Sequence, residues 1–426
     1  MKIKCLIIIS ILLCSSTFVS TAFAFEKNVK SNFKASSEEY DMVIISTEQF
    51  AESLIPLIEH KNSHGIKTYF KDVKEIYRQY SGRDKPEKIK YFIKDAIETN
   101  SISYVLVVGN SLFVPMRKIF WNQSFSYLDI NCDLYYADIY DENGNFCSWD
   151  SNNNNLFGEF NYNYKVSIPI DETDYYPDIN IGRIPCLSKL DLNIVINKII
   201  NYENNAFGSD WFNKVLLMGG DNGYSQGCEG EYVTGLVGNE IEKHGFETIK
   251  LWASQNDFKP FKINKAINQG AGFISYSGHG SPMFIYCHKP QKYPIFYFNF
   301  HISGLNNQDK LPIVFLDACL TAYPRTIMSS FAYNIVKKEY GGAIATIGST
   351  YFTYGNEKPY LFPYDLIMGA NYLNLLFFKN YEVGTTIGEM LTRAYNEFID
   401  TADIDCLTLS EFILIGDPSL KIGGYP

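Results

Sequence analysis

The sequence predicts an α/β protein made of two stacked βα units with mainly parallel sheets. Three observations lead there. Short apolar runs alternate with stretches of helical spacing from Asp41 onward. Two of the runs, Gly272-Phe273-Ile274-Ser275-Tyr276 and Leu311-Pro312-Ile313-Val314-Phe315-Leu316, read as buried strands. They end in residues that carry chemistry, Ser277-Gly278-His279-Gly280 and Asp317-Ala318-Cys319. One stretch, 121–175, breaks the rhythm with turn-forming Asn, Asp and Tyr and reads as an insertion.

Residues 1–24 read as a signal peptide. Lys2 and Lys4 make a basic start, 5–13 is almost wholly apolar, and Ala22-Phe23-Ala24 supplies the cleavage site. Cys14 follows Leu13 rather than a small residue, which argues against a lipid anchor. No later apolar run reaches the roughly 18 residues of a membrane helix, so no integral membrane segment is expected. The reading is an exported, soluble protein whose mature chain starts at Phe25, with 25–40 a polar tail or short pro-segment.

The first unit is placed at 41–208. Met42-Val43-Ile44-Ile45 reads as a strand, 48–64 as a helix stopped by Gly65, and 66–70 as a strand. A helix over 86–98 opens on Pro86, which a first turn tolerates, and 103–108 is a buried parallel strand. After the insertion, 178–183 restores a strand and 188–204 a helix. The second unit, 209–426, opens with a strand over 214–218. It alternates through the His279 and Cys319 strands to 342–347, then closes with helices near 361–376 and 386–398.

The formal charge is −10, and loss of Lys2 and Lys4 makes it two units more negative, so no nucleic-acid partner is expected. With 46% hydrophobic and 16% aromatic residues, the chain buries a large core. Of the nine cysteines, Cys5 and Cys14 leave with the signal. Cys132, Cys147, Cys186, Cys228, Cys287, Cys319 and Cys406 remain, an odd set that leaves at least one free thiol. No C-x-x-C pair suggests zinc.

Active groups of parallel α/β sheets collect at the carboxyl ends of strands. A His and a Cys brought to neighbouring strand ends form a nucleophile–base pair: Cys319 attacks, and His279 is general base and then acid to the leaving amine. Gly280 permits close backbone approach, and the N–H groups of Gly280 and Cys319 would form an oxyanion hole. Taken singly, a buried Cys is usually a small hydrophobe and a lone His is often structural; the pairing at two strand ends favours catalysis. His60 and His64 have metal-like spacing, but Glu59 does not complete H-E-x-x-H, so they read as exposed helix residues.

In the insertion, Asp150, Asn152, Asn154 and Glu159, with Asp138 upstream, offer oxygen side chains suited to calcium. No EF-hand spacing is present, and a polar surface loop is the other reading.

These motifs resemble the gingipain-type cysteine peptidases, family C25 of the caspase-like clan. The resemblance also rests on Tyr104-Val105-Leu106-Val107-Val108-Gly109, Ile181-Gly182-Arg183-Ile184-Pro185 and Ile415-Gly416-Asp417-Pro418-Ser419-Leu420, and it covers roughly 41–422. Asp317-Ala318-Cys319-Leu320 also resembles clostripain-type relatives of that clan. The resemblance implies a caspase-like fold, a His279–Cys319 dyad, protein or peptide substrates, and no cofactor for the chemistry. It places an acidic residue orienting the His at Asp221, after the strand that opens the second unit; a turn cap is the alternative for that side chain. It puts an acid selecting basic P1 residues near Gly230, where Glu229 and Glu231 stand; the alternative is solvated acids in a helix's first turn. Thr346 to Tyr354, with Ser349 and Tyr354, is expected as another pocket wall. Gingipains bind calcium, which favours structural calcium at the insertion. The stretch before Asp41 is short beside the family's long prodomain, and the sequence stops soon after the terminal motif; both leave zymogen control open. The rival is an inactive peptidase-like scaffold for adhesion or assembly.

Overall fold

The computed structural model describes residues 39–123, 126–163, 166–223, 227–290, 292–325, 327–355, 369–402 and 405–426. The expected signal peptide lies outside them, as does nearly all of the polar tail.

The first half runs β1 (Met42–Ser46), α1 (Glu48–Ser63), β2 (Thr68–Asp72), α2 (Val73–Gln79), α3 (Lys85–Asn100) and β3 (Tyr104–Val108). An excursion follows through β4 (Arg117–Gln123), β5 (Ser126–Cys132), β6 (Phe160–Asn163) and β7 (Val166–Pro169). The chain returns by β8 (Asn180–Ile184) and α4 (Lys189–Asn205). The second half opens β9 (Lys214–Gly219), α5 (Glu229–Glu242), β10 (Glu247–Trp252), α6 (Pro260–Gln269) and β11 (Phe273–Ser277). Three short strands come next, β12 (His279–Ser281), β13 (Phe284–His288) and β14 (Pro294–Phe298). The rest is β15 (Ile313–Asp317), α7 (Phe331–Val336), β16 (Ala345–Ser349), α8 (Gly369–Lys379), α9 (Ile387–Thr401), α10 (Cys406–Glu411) and β17 (Phe412–Ile415).

Ten strands form one sheet, in the order β10-β9-β11-β15-β16-β17-β8-β3-β1-β2. Within each half the neighbours run parallel, as strands with helical crossovers must. Their apolar runs are buried at every position in β1, β3, β11, β15 and β16, because helices cover both faces. The halves join where β17 pairs antiparallel with β16 and, through Ile415 and Arg183, parallel with β8. This is the mixed α/β caspase-like arrangement that the sequence predicts.

Local chemistry sets the helix starts. Asp84 accepts the Glu87 N–H at 3.0 Å, and Pro86 lies in the first turn of α3. Thr386 and Glu389 form a capping box on α9. His60 is buried rather than exposed: its Nε2 lies 2.8 Å from Glu203 of α4, which also pairs with Lys61 at 2.8 Å. Lys61 reaches Asp417 at 2.7 Å as well. The charges on α1 thus tie it to α4 and to the terminal segment, contacts that helix periodicity alone does not show.

None of the described helices is long and apolar enough to cross a membrane. All seven cysteines from Cys132 onward are free thiols, and only Cys228 and Cys319 are part-exposed.

Candidate active site

The site begins with strand register. β11 and β15 are adjacent and parallel, with Ser277 opposite Asp317, and the Gly278 N–H donates to the Asp317 carbonyl at 3.1 Å. His279 and Cys319 each follow two residues later. Gly280 allows the two chains to meet, since a Cβ there would lie 2.6 Å from the Cys319 carbonyl oxygen and 2.9 Å from the Ala318 Cβ. After Cys319 the backbone turns sharply, with Leu320 in the left-handed region at φ 57° and its N–H bonded to the Tyr351 carbonyl at 2.8 Å.

His279 and Cys319 line one cleft of about 330 Å³, shared with Asn222, Ser277, Gly278, Asp317, Phe352, Thr353, Tyr354, Gly355 and Asn371. The sequence-predicted dyad is therefore brought together, and Tyr354 stands in the expected wall. Ser349 is fully buried and does not line the cleft; its hydroxyl donates to the Tyr351 carbonyl at 2.7 Å and shapes the turn.

The Cys319 thiol donates to the Thr353 carbonyl at 3.4 Å. Burial pushes its pKa up to about 11. Burial also lowers His279, partly offset by its bond to the Asn222 carbonyl. Both shifts favour a thiol beside a neutral imidazole. Because a carbonyl can only accept, the 2.8 Å contact puts the proton of the neutral ring on Nε2 and the lone pair on Nδ1.

Asp221 lies one residue from that carbonyl. Its backbone bridges to His288 of β13, by N–H to carbonyl at 3.0 Å and the reverse at 2.7 Å, and its Oδ1 accepts the Gly223 N–H at 2.6 Å. Glu229 accepts the Asn222 N–H at 3.0 Å. These two carboxylates hold the loop that presents Asn222 to His279. The sequence missed Asn222 because a backbone carbonyl leaves no side-chain signature.

Neither Glu229 nor Glu231 lines the cleft; both are buried at the start of α5. Glu231 accepts from the Ser254 N–H at 2.8 Å and hydroxyl at 2.6 Å, and burial raises its pKa. The acid that does line the cleft is Asp317, alone of its kind among the described lining residues. Asn371 donates to its Oδ2 at 2.7 Å, and burial pushes its pKa up to about 6. The Asp-Ala-Cys motif contained the signal, since Asp317 is the last residue of β15 and Cys319 follows two residues later.

The five insertion residues do not form one ligand set. Asp138 is buried under Trp149, whose indole N–H donates to it at 2.9 Å, and burial raises its pKa to about 7. Asp150 accepts the Asn154 and Asn155 N–H groups at 3.0 Å and pairs with Arg83. The Asn152 and Asn154 side-chain oxygens accept backbone N–H groups at 3.0 and 2.7 Å, and their amides donate to Glu159. The Asp150, Asn152 and Asn154 side-chain oxygens are thus committed to the loop, and the Arg83 guanidinium stands against Asp150. Among the described residues, no group of three or more His, Cys, Asp or Glu side chains could hold a metal ion.

The model of peptidase family C25 matches residues 35–423. Gingipain R2 of Porphyromonas gingivalis is 24% identical over 352 residues, covering 78% of this chain and 41% of that protein. Gingipain R1 of the same organism is 24% identical over 320 residues, covering 72% and 27%. The chain thus spans less than half the length of these relatives. The crystal structure of the Arg-specific cysteine proteinase gingipain R superposes with a TM-score of 0.66 at 22% identity, over 91% of this chain and 79% of that one. By sequence the chain belongs to peptidase family C25.

Proposed function

We propose that this chain is a secreted cysteine endopeptidase that cleaves after basic residues. Cys319 attacks the scissile carbonyl as His279 takes the thiol proton; the resulting tetrahedral oxyanion is held by the Gly280 and Cys319 N–H groups. The imidazolium then gives its proton to the leaving amine, an acyl-thioester remains on Cys319, and water activated at His279 releases the acid. A thiol beside a neutral imidazole suits this general-base route, in which charge develops only with the substrate in place. Export follows from the segment 1–24 as read from the sequence.

One observation carries the reading: a nucleophile, a base and a buried carboxylate line a single cleft, all at the carboxyl ends of two adjacent strands. The carboxylate, Asp317, is given the specificity role rather than Glu229 or Glu231, because it lines the cleft and they do not. A guanidinium or ammonium entering the cleft finds in Asp317 a charge-assisted acceptor.

The test is cleavage of a P1-varied fluorogenic peptide series by the wild type, Cys319→Ala and Asp317→Asn. The expected result is Arg or Lys preference in the wild type and silence in Cys319→Ala. Asp317→Asn should lose about a hundredfold on basic P1 alone, the order expected when a charged hydrogen bond is removed. Equal loss across all P1 residues would overturn the specificity assignment. Wild-type silence, with Cys319 unlabelled by a peptidyl electrophile, would favour the inactive scaffold.

A further inference from the structure

His279 opens a small sheet of its own. β12, β13 and β14 pair antiparallel in that order, with His279 opposite Tyr286 and Tyr286 opposite Phe296. In the next row Phe284 stands opposite Phe298. Alternation along a strand sends Ile285, Cys287 and Tyr297 into the core, where they are buried. The opposite face carries His279 and the aromatic rings, all part-exposed.

Those rings form a continuous path. His279 stacks on Tyr286 with centroids 4.6 Å apart, and Tyr286 stacks on Phe296 at 4.8 Å. Phe284 meets Phe296 edge-on at 5.2 Å, Phe296 stacks on Phe298 at 5.3 Å, and Phe298 stacks on Phe300 at 5.3 Å. The far end lies open to solvent, with Phe300 67% exposed. Contiguous apolar surface of this kind marks binding sites, and this patch is continuous with the catalytic cleft through His279.

We propose that this face is the subsite for substrate residues downstream of the scissile bond, and that it favours an aromatic or large aliphatic side chain there. The assignment rests on the peptidase reading above and follows from the direction of proton flow. Since His279 protonates the leaving amine, the amine must come to the Nδ1 edge of the imidazole, which leads the residues that follow it past His279 toward the rings stacked on it. Beyond the imidazole the substrate meets Tyr286 and Phe296. Ring-on-ring packing there adds to ordinary apolar burial, and Phe298 and Phe300 extend the surface outward.

The experiment uses quenched-fluorescence peptides with a fixed Arg at P1 and Gly, Leu, Phe or Lys at each of the first three downstream positions. A short substrate with a coumarin leaving group has no downstream residues and serves as control. At one downstream position, Phe or Leu should exceed Gly by about tenfold in kcat/KM, the order expected of one aromatic contact with its burial. Phe296→Ser and the solvent-exposed Phe300→Ser should lower kcat/KM more on the Phe and Leu peptides than on the Gly peptide or the coumarin substrate. Equal rates across the wild-type series, or equal losses on both substrate types, would overturn the proposal.

Binding separates this result from a failure of the peptidase reading. A fluorescein-labelled downstream product, Gly-Phe-Leu-Ala with a free amino terminus, should bind Cys319→Ala and bind at least fivefold more weakly when Phe296→Ser is added. Absence of coumarin cleavage would count against the peptidase reading, whereas unaltered product binding in the double variant would count against this surface.

Discussion

Ser277 and Asp317 stand opposite each other on β11 and β15, and His279 and Cys319, each two residues further on, line one cleft. Each catalytic candidate lies two residues past a paired strand end, so the sheet brings both chains to the cleft before the turn at Leu320 and the Asn222 contact set the side chains. The same pairing sets Asp317 on the cleft below the nucleophile. The proposed nucleophile, base and specificity carboxylate are therefore products of one strand pair.

A thiol beside a neutral imidazole reacts differently from a thiolate–imidazolium pair. Burial pushes Cys319 up to about 11 and lowers His279, so in the free enzyme the thiolate fraction at neutral pH is small. Alkylation of Cys319 by iodoacetamide, followed site by site by mass spectrometry, should rise roughly tenfold per pH unit from 7 toward 10. A rate already flat near pH 7 would show a preformed thiolate–imidazolium pair and reject the neutral resting state.

Asp317 gives a second, independent pH signature. Its pKa is pushed up to about 6 by burial, so it is a neutral acid below that value and an anion above. Only the anion attracts a cationic side chain. The ratio of kcat/KM for an Arg substrate to that for a norleucine substrate should climb as pH rises through about 6 and then level off. In Asp317→Asn the ratio should be low and independent of pH. A wild-type ratio without a step between pH 5 and 7.5 would remove Asp317 from the specificity pocket.

How much of this the sequence disclosed depends on what each feature is made of. The strands were legible because fully buried parallel strands are unbroken apolar runs, as Val105-Leu106-Val107-Val108 shows. β17 was not, although Phe412-Ile413-Leu414-Ile415 is apolar, because α10 runs into it without a turn and only tertiary packing seats it between the halves. The β12–β14 sheet was hidden because its first strand is three residues long and overlaps the catalytic motif. Glu229 and Glu231 were correctly placed at a helix start, but which way a first-turn side chain points is decided by Asn222 and Ser254, which are remote in sequence.

The loop 221–223 separates an electrostatic from a positioning role for Asp221. If the carboxylate orients His279 by its charge, Asp221→Asn and Asp221→Ala should be equally impaired. The hydrogen bonds favour the other outcome: the side-chain amide of Asp221→Asn retains an oxygen for the Gly223 N–H, so that variant should stay close to wild type. Asp221→Ala releases the loop that carries Asn222 and should lower kcat by about ten- to a hundredfold, with KM little changed. Glu229→Gln likewise keeps an acceptor for Asn222 and should be mild. The acid limb of the kcat/KM profile is the further readout, since loss of the Asn222 contact should lower the His279 pKa.

Calcium is decided at Arg83. Asp150 is buried, and its oxygens face the Asn154 and Asn155 N–H groups and the Arg83 guanidinium, so the insertion carries its own counter-charge. A chelator should leave the thermal midpoint of the wild type unchanged. Arg83→Ala strips the guanidinium from Asp150 and should cost about 1–3 kcal/mol, the usual loss when a buried polar group loses its partner. With the guanidinium gone, Asp150 keeps only the Asn154 and Asn155 N–H groups, and added calcium should not restore the stability, since no three acids among the described residues are grouped to hold a metal ion. Scanning calorimetry of both proteins, with chelator and with calcium, reads all four cases. A wild type that melts several degrees lower in chelator would show that calcium, and not Arg83, supplies the charge the insertion needs.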